Sequence, residues 1–284
     1  MTLSFKFGTV GSPIKTPKKP GGSVGAVQFS KSIGLEALEL GWVQSVRVTE
    51  ATCAAIKAAG VEHEVAISVH APYFINLNAT DEEWPKSRKR LMDAAHYGGL
   101  AGATDIIFPP GAYFGNDPEL VLRKAIPRLI DCALELKRSG DQVVLRPETM
   151  GKSAMLGSFE DTIAMANEID GVQPCLDFAH LHARPGDGSM NTYDEWIKLL
   201  EVYKNAGGEG SLKHLHIHLS GIEYGPKGEK KHLEMKDADF DLKSLFRALK
   251  DNACGGRILC ESPAMEEDAL YMKKVWKKVS GETP

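Results

Sequence analysis

No CxxC pair, no GxGxxG turn, no apolar run of membrane-spanning length and no basic excess occur in this 284-residue chain. Each absence removes a class. The five cysteines, Cys53, Cys132, Cys175, Cys254 and Cys260, are scattered. That spacing fits reduced thiols rather than a disulfide framework, and zinc-ribbon and redox motifs are absent. No apolar stretch approaches the ~20 residues that a transmembrane helix needs. Met1 to Gly11 does not read as a secretory signal, so a cytoplasmic protein without membrane contact is expected. The net charge of −4 gives no global attraction for nucleic acid, so any phosphate-binding role has to rest on a local patch. Neither a phosphate-cradling glycine loop nor a Ser-His-Asp arrangement is evident.

What is present is alternation. An apolar share of 43% is enough for a sizeable core. Short strand-like runs cover Ser4 to Val10, Ala37 to Leu40, Val65 to His70, Asp105 to Phe108, Gln142 to Arg146, Gln173 to Asp177, His214 to His218 and Arg257 to Glu261. Stretches of helical period lie between them: Val24 to Ile33, Thr49 to Ala59, Glu82 to Ala101, Pro118 to Arg138, Phe159 to Glu168, Tyr193 to Asn205, Leu242 to Asn252 and Met265 to Lys277. Eight strand-helix units close naturally into an α/β fold, a (β/α)8 barrel, as a single domain over residues 1–284. In such a barrel the side chains that do chemistry sit at the C-terminal ends of the strands.

Histidines and acids cluster at those strand ends. Asp177 ends an apolar run and His180 follows three residues later, a carboxylate and imidazole pair of the zinc or manganese type. Read alone, Asp177 is equally a helix cap beside a surface histidine. His214, His216 and His218 have the same parity on one strand and share a face. Same-face neighbours are ~6.8 Å apart, so one ion would not take all three. Glu148 and Glu261 each close a strand with a carboxylate; Arg146 or Arg257 could pair with them, but three inward acids around one rim favour divalent cations. Lys15, Lys18 and Lys19 after the first run, and Lys227, Lys230 and Lys231 after the seventh, lie on the same face and suit a polyanion, although charge runs are usually solvated loops.

Five ordered motifs carry a family resemblance. They are Ser68-Val-His-Ala-Pro-Tyr-Phe-Ile-Asn-Leu77, Glu148-Thr-Met-Gly-Lys152 with Leu156-Gly-Ser-Phe-Glu160, Leu176-Asp-Phe-Ala-His180, His216-Ile-His-Leu-Ser220 and Ile258-Leu-Cys-Glu261. The chain resembles the endonuclease IV family of apurinic/apyrimidinic endonucleases, in wording its archaeal-type branch, within the xylose-isomerase-like TIM barrels. The resemblance implies a zinc-dependent enzyme with two or three ions, zinc or manganese, that hydrolyses the phosphodiester 5′ to an abasic site in double-stranded DNA. It implies a DNA-repair hydrolase, and a monomer is expected. Carried over by position, His70 and Glu148 would hold the first metal, Glu148, Asp177, His216 and Glu261 the second, and His180 with His232 the third. Glu148 and Glu261 would be the catalytic carboxylates, and Tyr73 matches a residue of the DNA-contacting loop.

Two positions depart from that pattern. Pro109 in Phe108-Pro-Pro-Gly111 stands where the family has a histidine ligand, and Lys230 stands where it has an aspartate two residues before His232. Glu229 after a one-residue shift, His182 or His218 are the substitutes available. The stretch Gly41 to Arg47 does not match the bacterial DNA-inserting loop. A metal-dependent sugar isomerase or epimerase of the same superfamily, and a non-catalytic metal-containing binder of damaged nucleic acid, are the alternatives.

Overall fold

Runs such as Ala103-Thr-Asp-Ile-Ile-Phe108 and Leu215-His-Ile-His-Leu219 are too short for helices, and their non-polar side chains alternate with residues that point inward. They become the staves of a parallel barrel in the computed structural model, which describes residues 5–208 and 210–281. The strands are β1 (Phe5–Val10), β2 (Ala37–Gly41), β3 (Ala66–His70), β4 (Ala103–Phe108), β5 (Val144–Pro147), β6 (Cys175–Asp177), β7 (Leu215–Leu219) and a last one, β10 (Gly256–Cys260). Their ladder runs β5-β4-β3-β2-β1-β10-β7-β6. The two ends meet through parallel bridges at Leu145–Val172 and Glu148–Cys175, so the barrel is nearly closed.

Helices cover the outside. They are α1 (Gly22–Ser32), α2 (Glu50–Glu62), α3 (Trp84–Leu100), α4 (Pro118–Ser139), α5 (Phe159–Glu168), α7 (Tyr193–Gly207), α8 (Leu242–Asp251) and α9 (Glu266–Ser280). Local chemistry starts several of them. Ser158 with Asp161, and Thr192 with Glu195, form capping boxes that satisfy backbone N–H groups at the heads of α5 and α7. In α8 the buried set Leu242, Leu245, Phe246, Ala248 and Leu249 follows the helical period and packs with Trp276 of α9. One apolar shell lies under the helices of the first half of the barrel and another under those of the second. No helix among the described residues is long and apolar enough to cross a membrane.

The expected strands are all present, with shifted ends. Ser4, expected to open the first strand, lies outside the described residues. β7 starts at Leu215, so His214 precedes it, exposed at the opposite end from the mouth, and the expected three-histidine face holds only two rings. Further elements at the mouth have no counterpart in the sequence pattern. A short helix, α6 (Phe178–Ala183), follows β6 directly, and an antiparallel hairpin, β8 (Gly221–Gly225) and β9 (Gly228–Leu233), rises after β7. Both stand over the C-terminal mouth, and both carry candidate ligands.

Candidate metal centre

Strand ends deliver the first donor group. His70 closes β3, Glu148 follows β5, His218 lies on β7 and Glu261 follows β10; one ligand atom from each lies within 4.8 Å of the others. His218 Nδ1 is 2.8 Å from Glu148 Oε1 and 3.3 Å from Glu261 Oε1, and His70 Nε2 is 3.6 Å from Glu148 Oε2. The His70 Nδ1–H donates to the Ala71 carbonyl at 3.0 Å, which leaves Nε2 as the nitrogen that faces the acids.

The second group comes from the two unforeseen elements. Asp177 ends β6 and caps α6, its Oδ1 accepting from the His180 N–H at 2.8 Å. Capping and metal binding are therefore compatible roles for one carboxylate. Its other oxygen, Oδ2, is buried without a hydrogen-bond partner. His180 donates Nδ1–H to the Thr149 carbonyl at 2.9 Å, and His232 of β9 donates Nδ1–H to the Glu261 carbonyl at 3.2 Å. Both Nε2 atoms then face one another across 3.2 Å. Tetrahedral zinc with bonds of about 2.0–2.1 Å holds two imidazole nitrogens about 3.3 Å apart, so the donor set fits an ion of that kind.

A bulge supplies the fourth candidate of this group. In the hairpin, Ile222 pairs with His232 and Glu223 with Lys231, but Tyr224 pairs with Glu229, so Lys230 is the extra residue. The insertion reverses parity. Glu229 thereby lies on the side of His232, with Oε2 3.5 Å from His180 Nε2, and Lys230 turns outward. Gly151 makes room for it: a Cβ there would come within 2.8 Å of the Glu229 Cβ and 2.9 Å of the His180 ring.

Other expected residues lie elsewhere. His216 sits one pleat deeper than the mouth, with Nε2 2.9 Å from Glu39 Oε2; it is grouped with Cys175 and His218 as a third possible donor set, while His218 is the ring beside Glu148 and Glu261. The cause is parity: both rings point inward, but only the later one reaches the strand end. His182 belongs to neither group. It is buried between Tyr224 and Phe240, with Nδ1 on the Ser189 carbonyl and Nε2 3.1 Å from Asp239. Arg146 and Arg257 do not pair with Glu148 or Glu261; both bind Asp105 near the barrel floor. Pro109 is buried and offers no donor.

The lysines are less uniform than their spacing implied. Lys15 pairs with Glu267 at 2.8 Å, while Lys230 and Lys231 share Glu223 at 3.3 and 3.4 Å. Lys18, Lys19 and Lys227 are exposed, and no carboxylate among the described residues pairs with them. Tyr73 is half exposed at the mouth, its ring edge-on to His70 with centroids 5.3 Å apart, and Phe74 beside it is equally open.

Sequence reasoning missed Glu39. It is fully buried on β2 and accepts from Ser68 Oγ at 2.7 Å. A lone acid inside the apolar run Ala37-Leu-Glu-Leu40 was the available signal.

The electrostatics report a shortage of positive charge. Burial works against an ionised Glu148, yet hydrogen bonds from His218 and His70 hold its carboxyl well below the usual range. Burial pushes Glu261 up, with Glu148 adding to the rise against the pull of His218. Burial also disfavours the charged rings of His70 and His180, but neighbouring acids lift both to about 9. Deeper in, burial outweighs Glu39 and lowers His216 to about 4, so that ring is neutral. Burial together with Glu261 and Glu148 pushes the Tyr73 hydroxyl up to about 12. A mouth this rich in acids repels an anion unless cations reverse its sign.

Comparison with known proteins agrees with this architecture. The family model described as "Xylose isomerase-like TIM barrel" matches residues 27–278. An uncharacterized protein of Methanocaldococcus jannaschii, MJ0133, is 35% identical over 277 residues, 96% of this chain and 97% of that one. Endonuclease 4 of Thermus thermophilus is 26% identical over 84% of this chain and 92% of its own length. A probable endonuclease 4 of Oceanobacillus iheyensis is 31% identical over 59% of this chain, and the match spans 58% of that relative. Among solved structures, an endonuclease IV from Thermus thermophilus superimposes with a TM-score of 0.72 at 21% identity, over 98% of this chain and 100% of that one. A D-tagatose 3-epimerase-like protein does so with 0.74 at 17%, over 98% and 99%. The parallel barrel, the acids and imidazoles at its mouth and the matched span together place the chain in the xylose isomerase-like TIM barrel family, among relatives that include endonuclease 4.

Proposed function

We propose that the protein is a divalent-metal phosphodiesterase that cleaves DNA at abasic sites, holding two ions in the two donor groups. One observation carries the reading. His180 and His232 have their Nδ1 protons committed to carbonyls and their Nε2 atoms 3.2 Å apart, and in the same group Asp177 Oδ2 is buried without a hydrogen bond, 3.2 Å from His180 Nδ1. Such a set is costly unless a proton or a cation sits within it. The relatives named endonuclease 4 support the substrate class.

His70, Glu148, His218 and Glu261 would hold one ion, and Asp177, His180 and His232, with Glu229 beside them, the other. Paired divalent ions supply Lewis acidity and an activated water for in-line displacement at phosphorus. Glu261 lies between the groups, 3.3 Å from His218 Nδ1 and 3.8 Å from His232 Nδ1, and would tie them together. Carbonyls of Ala71, Thr149 and Glu261 fix three of the rings and leave their other nitrogens outward. Tyr73 and Phe74 offer exposed aromatic faces at the same mouth, suited to stacking on a base next to a gap in the duplex. Lys18, Lys19 and Lys227 can meet backbone phosphates.

A one-ion sugar epimerase would use the first group and leave the second idle. The test is therefore metal content followed by cleavage. Purified protein loaded with zinc and dialysed should retain two equivalents by elemental analysis, and should nick a duplex carrying one tetrahydrofuran abasic analogue in a reaction that EDTA stops. A single retained ion, or an intact duplex at high concentrations of fully loaded protein, would overturn the proposal.

A further inference from the structure

Glu39 is a fully buried carboxylate without a lysine or arginine partner among the described residues, a placement that is costly unless the charge has work to do. It stands on β2, three ladder positions from β7, and reaches across the barrel interior to the two rings of that strand. Its Oε2 accepts from Ser68 Oγ at 2.7 Å and lies 2.9 Å from His216 Nε2. Its Oε1 lies 3.0 Å from His218 Nε2, in ion-pair range, and neither of these two buried atoms has a hydrogen-bond partner; the Cys175 thiol is grouped with the same ring. The opposite edge of the His218 ring faces the mouth, with Nδ1 2.8 Å from Glu148 and 3.3 Å from Glu261.

We propose that Glu39 is a positioning residue, which keeps the His218 proton on Nε2 and so presents an unprotonated Nδ1 to an ion in the first donor group. The inference rests on the metal-site reading above. A neutral imidazole carries one proton, and the stronger acceptor decides which nitrogen has it. Without Glu39 the only carboxylates near the ring are at the mouth, and they would draw the proton to Nδ1, the nitrogen an ion requires. With Glu39 in place the carboxylate, imidazole and ion fall in line, an arrangement whose outer partner typically accounts for 10–100-fold in metal affinity. Ser68 and His216 brace the carboxylate from the other side. The assignment also explains why an acid occupies the middle of an apolar strand.

The experiment compares wild type with Glu39→Gln, which keeps the volume and removes the charge, and Glu39→Asp, which keeps the charge on a shorter arm. Zinc affinity is measured by competition with a chromogenic chelator, and the protonated nitrogen of His218 by long-range proton–nitrogen correlation spectra of the zinc-loaded wild type. We expect Glu39→Gln to weaken one ion by 10–100-fold and leave the ion at His180 and His232 within about twofold. Glu39→Asp should recover part of the loss, and the His218 proton should be on Nε2. Equal affinities in wild type and Glu39→Gln, or a proton on Nδ1 in the wild type, overturn the role of Glu39 while the metal site stands. Wild type that takes up no zinc overturns both. If Glu39→Gln does not fold, the wild-type spectrum decides alone.

Discussion

At the scale of single residues, the centre depends on which nitrogen of each ring is left bare, and backbone carbonyls settle that. Ala71, Thr149 and Glu261 each accept one Nδ1–H hydrogen bond, so Nε2 is the nitrogen that His70, His180 and His232 turn to the mouth. Proton and ion then compete for the same lone pairs. Because neighbouring acids overcome burial to lift His70 and His180 to about 9, both rings are protonated at pH 7 in the metal-free protein. Metal uptake must expel those protons. Apparent zinc affinity should therefore rise between pH 6.5 and 8.5, by about tenfold per pH unit for each proton released, and level off above 9. Chelator competition at several pH values checks this, and a flat profile would show that these rings are not ligands.

At the scale of elements, the β8–β9 hairpin brings a carboxylate back toward His180 and His232. The family pattern has an acid two residues before the His232 position, where this chain has Lys230. A bulge at Lys230 restores the face to Glu229. Removing the carboxylate by Glu229→Gln should weaken the ion at His180 and His232 by about 10–100-fold. Deleting Lys230 should leave that ion within a few-fold of wild type, because regular pairing of the shortened strand puts Glu229 two residues from His232 on the same face. Titration of both variants, with circular dichroism to verify folding, tests the pair. A deletion variant as weak as Glu229→Gln would mean that the bulge has some other role.

At the scale of the whole molecule, opposite ends of the barrel interior carry opposite solutions to buried charge. Near the floor, Asp105 is neutralised internally by Arg146 and by Arg257, the latter 3.0 Å away. At the mouth, acids outnumber fixed cations. Burial opposes ionisation of Asp105, but the two guanidinium groups hold its carboxyl well below the usual aspartate range. A lowered folded-state pKa contributes stability that is full above the unfolded value of about 4 and is lost as pH falls through the folded value. Asp105→Asn should accordingly cost about 3–5 kcal/mol at pH 7, since it leaves two buried arginines without their counter-charge. The gap should narrow as pH falls below 4. Urea unfolding at pH 7 and pH 3 measures both, and equal losses at the two values would contradict this account.

The barrel was legible in advance because strand and helix periods are local properties of a chain. Glu148, Asp177 and Glu261 were legible as acids placed where apolar runs stop, and Glu229 as an acid next to Lys230. His216 and His218 are hard to tell apart in sequence because the two share parity, and only depth along the strand separates them. The partners of Arg146 and Arg257, and the role of Glu39, were hidden for a related reason. An interior contact across a barrel joins residues far apart in the chain, and no periodicity records the distance between them. By itself the sequence determined the order of elements and the inventory of donors. Tertiary structure alone decided which donors meet, because closing the ladder sets strand stagger, and stagger decides which inward side chains share a layer.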